Sequence, residues 1–351
     1  MIKVAIVGTG GIAEWHASAF KNNKNSDVIA ACDVNNDRLN EFCNKFGIKN
    51  RYNNVDELLE NEDVDAVSNT TPDAFHKEIS IKAIKKNKHI FCEKPLAENF
   101  NDAKLMCEAL EGKNLINMVN FSYRNSSGYQ ELCKMVKSGK IGNVFHMDAN
   151  YYQSWLTSNY WGNWKEEDKW LWRLSTKHGS KGTLGDIGVH IFDFASFPIG
   201  KIKKLNAHLK TFKSKGEKIR DYVLDANDGF NSLVRFENGA IGTITNSRYA
   251  TGHANTLILE VFCTKGSIKV ELDEERRKWS TLHICEKENV NEMSWETLEC
   301  PKTPNNYQNF IKSIQNNKNM QPDFVQGAKI QKIIDSCIKS NDNNSWIDIN
   351  N

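Results

Sequence analysis

Short apolar runs alternate with longer amphipathic segments over the first third of the chain. The runs VAIV (4–7), VIAAC (28–32), AVSN (66–69), HIFC (89–92) and LINMVNF (115–121) have the length of buried strands. Between them, 12–20, 37–46, 75–86 and 99–110 read as amphipathic helices. Strand–helix alternation predicts a doubly wound parallel sheet, an α/β Rossmann domain over 1–122. From about residue 144 the pattern changes to successive alternating segments at 144–153, 202–210, 229–236, 240–247, 256–263 and 266–272. ENGAIG (237–242) and CTKGS (263–267) each place glycine between two such runs, as hairpins do. The expectation is an α+β domain over 123–351 with a largely antiparallel open sheet. Helices over 305–316 and about 323–340, free to pack back on the first domain, and a strand around Trp346 complete the pattern.

Size and charge narrow the partners. A chain of 351 residues exceeds the usual size of a single core, so two domains are expected. A net charge of +2, with 26% charged residues, creates no strong field for nucleic acid or a membrane surface. A small-molecule ligand is expected instead. The apolar run Ile2 to Val7 breaks at Gly8, too short for a signal segment or a membrane span, and no later stretch is long enough to span. Nine cysteines lie scattered with no C-x-x-C pair or metal-ligand spacing, which predicts a reduced, cytoplasmic protein without a metal site.

The first turn carries chemistry. Gly8-Thr9-Gly10-Gly11-Ile12-Ala13 follows the first strand and opens the first helix, giving G-x-G-x-x-A in the setting it needs. The first glycine permits a tight turn, the second lets backbone approach a pyrophosphate, and Ala13 lets helix and strand pack closely. The helix N-terminus would hold the pyrophosphate through its N–H groups and dipole. Asp33 ends the second strand 23 residues after Gly10, where a carboxylate accepts from the ribose hydroxyls and repels a 2′-phosphate. NAD is therefore expected over NADP, while Arg38, five residues on, could meet a 2′-phosphate and keeps NADP as the alternative.

Two clusters suit proton transfer. Glu93-Lys94-Pro95 follows the fifth strand, at the carboxyl edge where such sheets bind ligands. Asp186 and His190 stand four residues apart in GTLGDIGVHIFDF, on one face if the segment is helical. His16, His89, His146 and His253 lack a comparable setting and read as structural.

Together GTGGIA (8–13), Asp33, TTPDAFH (70–76), EKPLA (93–97), NFSYR (120–124), WR (172–173) and GDIGVH (185–190) resemble the Gfo/Idh/MocA oxidoreductases over nearly the whole chain. The resemblance implies a catalytic set of Lys94, Asp186 and His190. It implies cofactor contacts at Gly8, Thr9, Gly10, Gly11, Ile12, Asp33, Thr71, Pro72, His76, Glu93, Asn120, Trp172 and Arg173. It also implies homo-oligomers through an exposed sheet face. The aromatic that commonly follows the arginine of NFSYR is replaced here by Asn125, which leaves the roles of Tyr123 and Arg124 open.

The expected reaction passes a hydride between a secondary alcohol of a sugar, glycoside or cyclitol and nicotinamide. A hydroxyl is a weak acid, so its proton needs a base, for which His190 is suited, and the developing alkoxide needs a cation, for which Lys94 is suited. Asp186 would orient the hydroxyl or His190. The same residues also fit a glycosidase that oxidises, eliminates and reduces again, and less well a catalytically dead sensor. Trp155, Trp161, Trp164, Trp170 and Trp172 fall within eighteen residues, a density suited to stacking on a sugar ring. Tyr123, Trp155 and Trp161 are the expected substrate contacts.

Overall fold

In a computed structural model of the chain, residues 1–212, 216–273 and 278–349 are described, without the side chains of 278 and 279. They form two compact units, one of residues 1–122 with 304–331 and the other of 123–303 with 332–351.

The first unit alternates β1 (Ile2–Val7), α1 (Gly11–Lys21), β2 (Ser26–Cys32), α2 (Asn36–Phe46), β3 (Asn50–Tyr52), α3 (Val55–Asn61), β4 (Ala66–Asn69), α4 (Asp73–Lys85), β5 (His89–Cys92), α5 (Phe100–Glu108) and β6 (Asn117–Val119). The strands pair in the order β3-β2-β1-β4-β5-β6, all in parallel. The order reverses between β1 and β4, and ligands of doubly wound sheets bind at the strand ends beside that reversal. The central strands are buried on both faces, so they read as continuous apolar runs. Helix ends follow local chemistry: Asn35 caps α2 by accepting from the Arg38 N–H, and Gly47 closes it in the left-handed region at φ 66°. The pair β3 and α3 is absent from the hydropathy reading, because a three-residue strand and a seven-residue helix are shorter than the pattern's period can register. Phe20, Phe91 and Met118 pack with Phe310 and Ile311 in this unit's core. The last two come from the 305–316 segment, which the sequence reads as helical.

The second unit runs through α6 (Ser127–Lys137), β7 (Val144–Gln153), α7 (Asp168–Leu171), a π-helical turn (Leu184–Gly188), α8 (Val189–Ile199), β8 (Ile202–Lys210), β9 (Lys218–Ile219), β10 (Tyr222–Val223), β11 (Gly229–Phe236), β12 (Ile241–Ser247), β13 (Asn255–Cys263), β14 (Gly266–Asp273), β15 (Lys278–Glu286), α9 (Glu288–Glu292) and β16 (Glu296–Leu298). After α10 (Asn306–Asn316), α11 (Phe324–Asn343) gives its first eight residues to the first unit and the rest to the second, where β17 (Ile347–Asp348) follows. Nine strands pair in the order β16-β15-β14-β13-β7-β12-β11-β8-β17. Every pair is antiparallel except β7 with β12. The two glycine turns form the expected hairpins, β11 to β12 and β13 to β14. Buried and exposed residues alternate along β11 and β12, so one face is core and the other is not. Helices α6 and α8 lie against this sheet, and Phe192 of α8 stacks on Phe230 of β11.

Among the described residues no helix is long and apolar enough to cross a membrane. None of the nine cysteines is paired.

Candidate active site

The loop between β1 and α1 is shaped for an anion. Gly8 has φ +89°, and a Cβ there would lie 2.8 Å from the Thr71 nitrogen, so only glycine lets the two loops meet. A Cβ added at Gly10 or Gly11 would meet nothing within 4 Å, and no side chain caps α1. Open space before an uncapped helix N-terminus is the cradle a pyrophosphate needs. Ile12 is exposed beside it.

Asp33, at the end of β2, is buried and accepts from five donors. The Thr9 N–H (2.7 Å), Thr9 Oγ1 (2.9 Å) and Arg38 Nε (3.1 Å) share Oδ2, while the Asn35 N–H (2.9 Å) and Arg38 Nη2 (2.8 Å) reach Oδ1. Burial works against its charge, but the Arg38 guanidinium and the Asn35 and Thr9 donors outweigh it and hold its pKa below the ordinary value. The carboxylate therefore both braces the glycine loop and engages Arg38, the candidate for a 2′-phosphate.

A second network lies behind Lys94. Glu93 accepts from His16 Nε2 (2.8 Å), from Asn120 Nδ2 (2.6 Å) and from the Lys94 N–H (3.2 Å). Burial would raise its pKa, yet His16, Lys94 and Asn120 bring it down to about 2. His16 is wholly buried and also bonds Ser68 Oγ at 2.8 Å, so the histidine that reads as structural holds Glu93. His76 is wholly buried as well, with Nδ1 2.7 Å from the Pro95 carbonyl and Nε2 2.8 Å from the Thr71 carbonyl. Expected as cofactor contacts, Glu93 and His76 are thus almost entirely enclosed by protein. They tie the loops of Thr71, Pro72 and Lys94 together from behind. Thr71 is itself held to Asn69 Oδ1 through its hydroxyl at 2.7 Å, and Pro72 stands exposed before α4. Half-buried Lys94 is the second residue after β5.

In the second unit Asp186 lies in the π-helical turn and His190 in the first turn of α8. A π turn winds more widely than an α-helix, so the i, i+4 relation expected of a regular helix is altered here. Arg248 Nη2 donates to Asp186 Oδ2 at 2.7 Å, and Arg173 Nε lies 3.6 Å from the same oxygen. The Arg173 guanidinium stacks over Trp172 at 4.6 Å, and Trp172 is exposed. The buried His190 ring meets the Tyr123 ring edge to face at 4.8 Å. Tyr123 is fixed in turn: its hydroxyl is 2.5 Å from that of Tyr151 and accepts from Asn255 Nδ2 at 2.9 Å. Arg124, left open by the sequence, forms a buried two-point ion pair with Asp193 and belongs to the scaffold.

The tryptophans largely face one another. Trp155 and Trp164 are buried with Leu156, Leu171, Leu174 and Leu224, and Trp161 stacks on Trp170 at 6.1 Å. Trp155, expected against substrate, is only 4% exposed, and its indole N–H donates to Gln153 Oε1. The loop thus packs into a small separate core, closed by Leu224, Ile219, Tyr222 and Tyr249 from other segments. Trp161 remains half-buried at the edge of that core.

Sequence reasoning missed Arg248. Its side chain is wholly enclosed. The available signal was parity: Gly242, Ile244 and Asn246 point inward along β12, and Arg248 continues that series beyond the strand.

Comparison with known proteins matches residues 2–121 to the oxidoreductase family with an NAD-binding Rossmann fold, and residues 129–269 to the GFO/IDH/MocA C-terminal domain. The chain is 27% identical to levoglucosan dehydrogenase of Pseudarthrobacter phenanthrenivorans over 95% of its own length and 91% of that enzyme. It is 29% identical to myo-inositol 2-dehydrogenase of Thermotoga maritima over 76% of its own length and 74% of that enzyme. A solved structure of levoglucosan dehydrogenase in complex with NADH and levoglucosan superposes with a TM-score of 0.85 at 25% identity, covering 99% of this chain and 98% of that one. With the glycine cradle and Asp33 in one matched part and Asp186 and His190 in the other, the chain belongs to the Gfo/Idh/MocA family of NAD-dependent oxidoreductases.

Proposed function

We propose that this protein oxidises a secondary hydroxyl of a neutral sugar, glycoside or cyclitol, with Lys94, Asp186 and His190 as its catalytic residues. The observation that carries the reading is the anchoring of Asp186 and His190 on successive turns, the first by two guanidinium groups and the second against a hydrogen-bonded tyrosine. NAD supplies the acceptor for the hydride at its nicotinamide ring. His190 takes the hydroxyl proton, protonated Lys94 stabilises the alkoxide that develops, and Asp186 accepts a hydrogen bond that orients the hydroxyl or the imidazole. The glycine cradle holds the pyrophosphate, and Thr71, Pro72, Asn120, Trp172 and Arg173 serve the cofactor side. Relatives named for levoglucosan and myo-inositol support a ring polyol as the substrate class. A reducing, cytoplasmic setting suits nine unpaired cysteines, and a homo-oligomer would cover the sheet face that carries exposed Leu233 and Ile241.

The test is a screen of levoglucosan, inositols, free hexoses and glucosides with NAD, reading the absorbance of the reduced cofactor. At least one neutral ring polyol should be oxidised. Lys94→Ala should then lower turnover by about 10² and His190→Ala by roughly 10²–10⁴, with NADH affinity kept. Turnover near the wild-type value in both variants would remove these residues from the mechanism.

A further inference from the structure

Arg248 is a guanidinium with no exposed surface, placed directly behind the Asp186 carboxylate. Its second amino group donates to the Arg173 carbonyl at 3.3 Å, its own N–H donates to the Asp228 carbonyl at 2.9 Å, and its Cζ lies 4.9 Å over the Trp155 ring. Enclosing a guanidinium costs several kcal/mol unless a partner compensates it, and neutral packing of the same volume is often as stable. Burial lowers its pKa, with Asp186 working in the opposite direction. A site that keeps so expensive a group against one carboxylate has a use for the pair. Asp186 is only partly enclosed, with 26% of its side chain exposed, whereas Arg248 is not exposed at all. The arginine therefore meets the Asp186 carboxylate from its enclosed side.

We infer that Arg248 is a positioning residue for the reaction: it pins one oxygen of Asp186 and keeps that carboxylate ionised, so that Asp186 acts as a fixed hydrogen-bond acceptor and not as a carrier of protons. This rests on the proposed role of Asp186. Other charged groups around the turn are Arg173 on the same oxygen, Lys181, whose Cβ lies against Gly185, and Asp228, which accepts from the Phe212 N–H. His190 lies on the next turn. Arg248 is the nearest cation to Asp186 Oδ2 among these, at 2.7 Å against 3.6 Å for Arg173.

The experiment compares Asp186→Asn, Arg248→Met, Arg248→Lys and the double variant Asp186→Asn with Arg248→Met, in the full chain with NAD and a substrate found by the screen. Arg248→Met should lower kcat about 10- to 100-fold, a usual size when an outer partner of a reacting group is lost. NADH affinity should be unchanged, and Arg248→Lys should be intermediate. The acid limb of the Arg248→Met rate profile should move to higher pH, because Asp186 then protonates more readily. In the double variant the two losses should not multiply, since a positioning arginine acts through the carboxylate it holds. If Arg248→Met fails to fold by circular dichroism, Arg248→Lys carries the same kcat and acid-limb comparison. An unmoved acid limb in the folded variant, or losses that multiply, overturns the inference. Asp186→Asn with wild-type turnover would instead refute the catalytic reading of Asp186, a separate result.

Discussion

Asp33 is the residue proposed to choose the cofactor, and its neighbour Arg38 sets the terms of the test. The carboxylate pairs with Arg38 at two points along one guanidinium edge, through Nε and Nη2, so in the wild type the cation that would attract a 2′-phosphate is already engaged. Arg38 keeps 50% of its side chain exposed while that of Asp33 keeps only 5%, so the arginine is the partner able to turn outward. Asp33→Ala should therefore weaken NADH binding and strengthen NADPH binding, because it removes the ribose acceptor and releases Arg38 together. The gain should be about 10-fold or more, the scale of a hydrogen bond to a charged group. Adding Arg38→Ala should abolish the gain without restoring NADH. Fluorescence titration of both reduced cofactors measures this. An unchanged NADPH affinity in Asp33→Ala would show that the carboxylate does not select the cofactor.

Among the elements, the loop from 154 to 174 is held by a satellite core, and its tryptophans divide by burial. Trp164 is 8% exposed in the satellite core, whereas Trp161 sits half-buried at its edge. Trp164→Ala should cost about 3 kcal/mol of stability, as large-to-small changes in cores do, with kcat and sugar KM near wild type. Trp161→Ala should raise sugar KM with little change in melting temperature. The opposite pattern, KM moving for Trp164 at constant melting temperature, would mean that the cluster is a binding wall and not a core. The same loop marks where the sequence stops being legible. Strand–helix alternation in 1–122 and the two glycine hairpins could be read directly, because a buried parallel strand and a half-buried antiparallel strand leave different hydropathy periods. Tryptophan density could be read too, but not the direction the rings face, since stacking on sugar and stacking on one another need the same residues. The π turn at 184–188 has no period of its own, and the contacts that define Glu93 and Asp186 come from His16 and Arg248, 77 and 62 residues distant. Such pairings exist only once the chain has folded.

For the whole molecule, the sheet of the second unit raises the question of what covers its second face. Register places Leu233 of β11 opposite Thr243 of β12, and Ile241 of β12 opposite His146 of β7, which pairs in turn with Phe262 of β13. These residues share the face that the buried series of β7 and β12 does not use. Leu233 is 51% and Ile241 52% exposed, and Arg235 on the same strand as Leu233 stacks its guanidinium over exposed Trp346. Broad sheet faces carrying apolar and aromatic residues among polar ones have the composition of subunit interfaces, and an antiparallel sheet tolerates water on one face only where that face is polar. A net charge of +2 offers little repulsion against self-association. The protein should therefore be a dimer or tetramer by light scattering, and Leu233→Asp combined with Ile241→Asp should lower the mass toward that of the 40.0 kDa chain. Buried like charges facing one another across a symmetric contact are strongly unfavourable, so two substitutions per chain suffice. NADH affinity should survive, since the glycine cradle and Asp33 belong to the other unit. A wild-type monomer, or an assembly whose mass the paired aspartates leave unchanged, would show that this face is not where the copies meet.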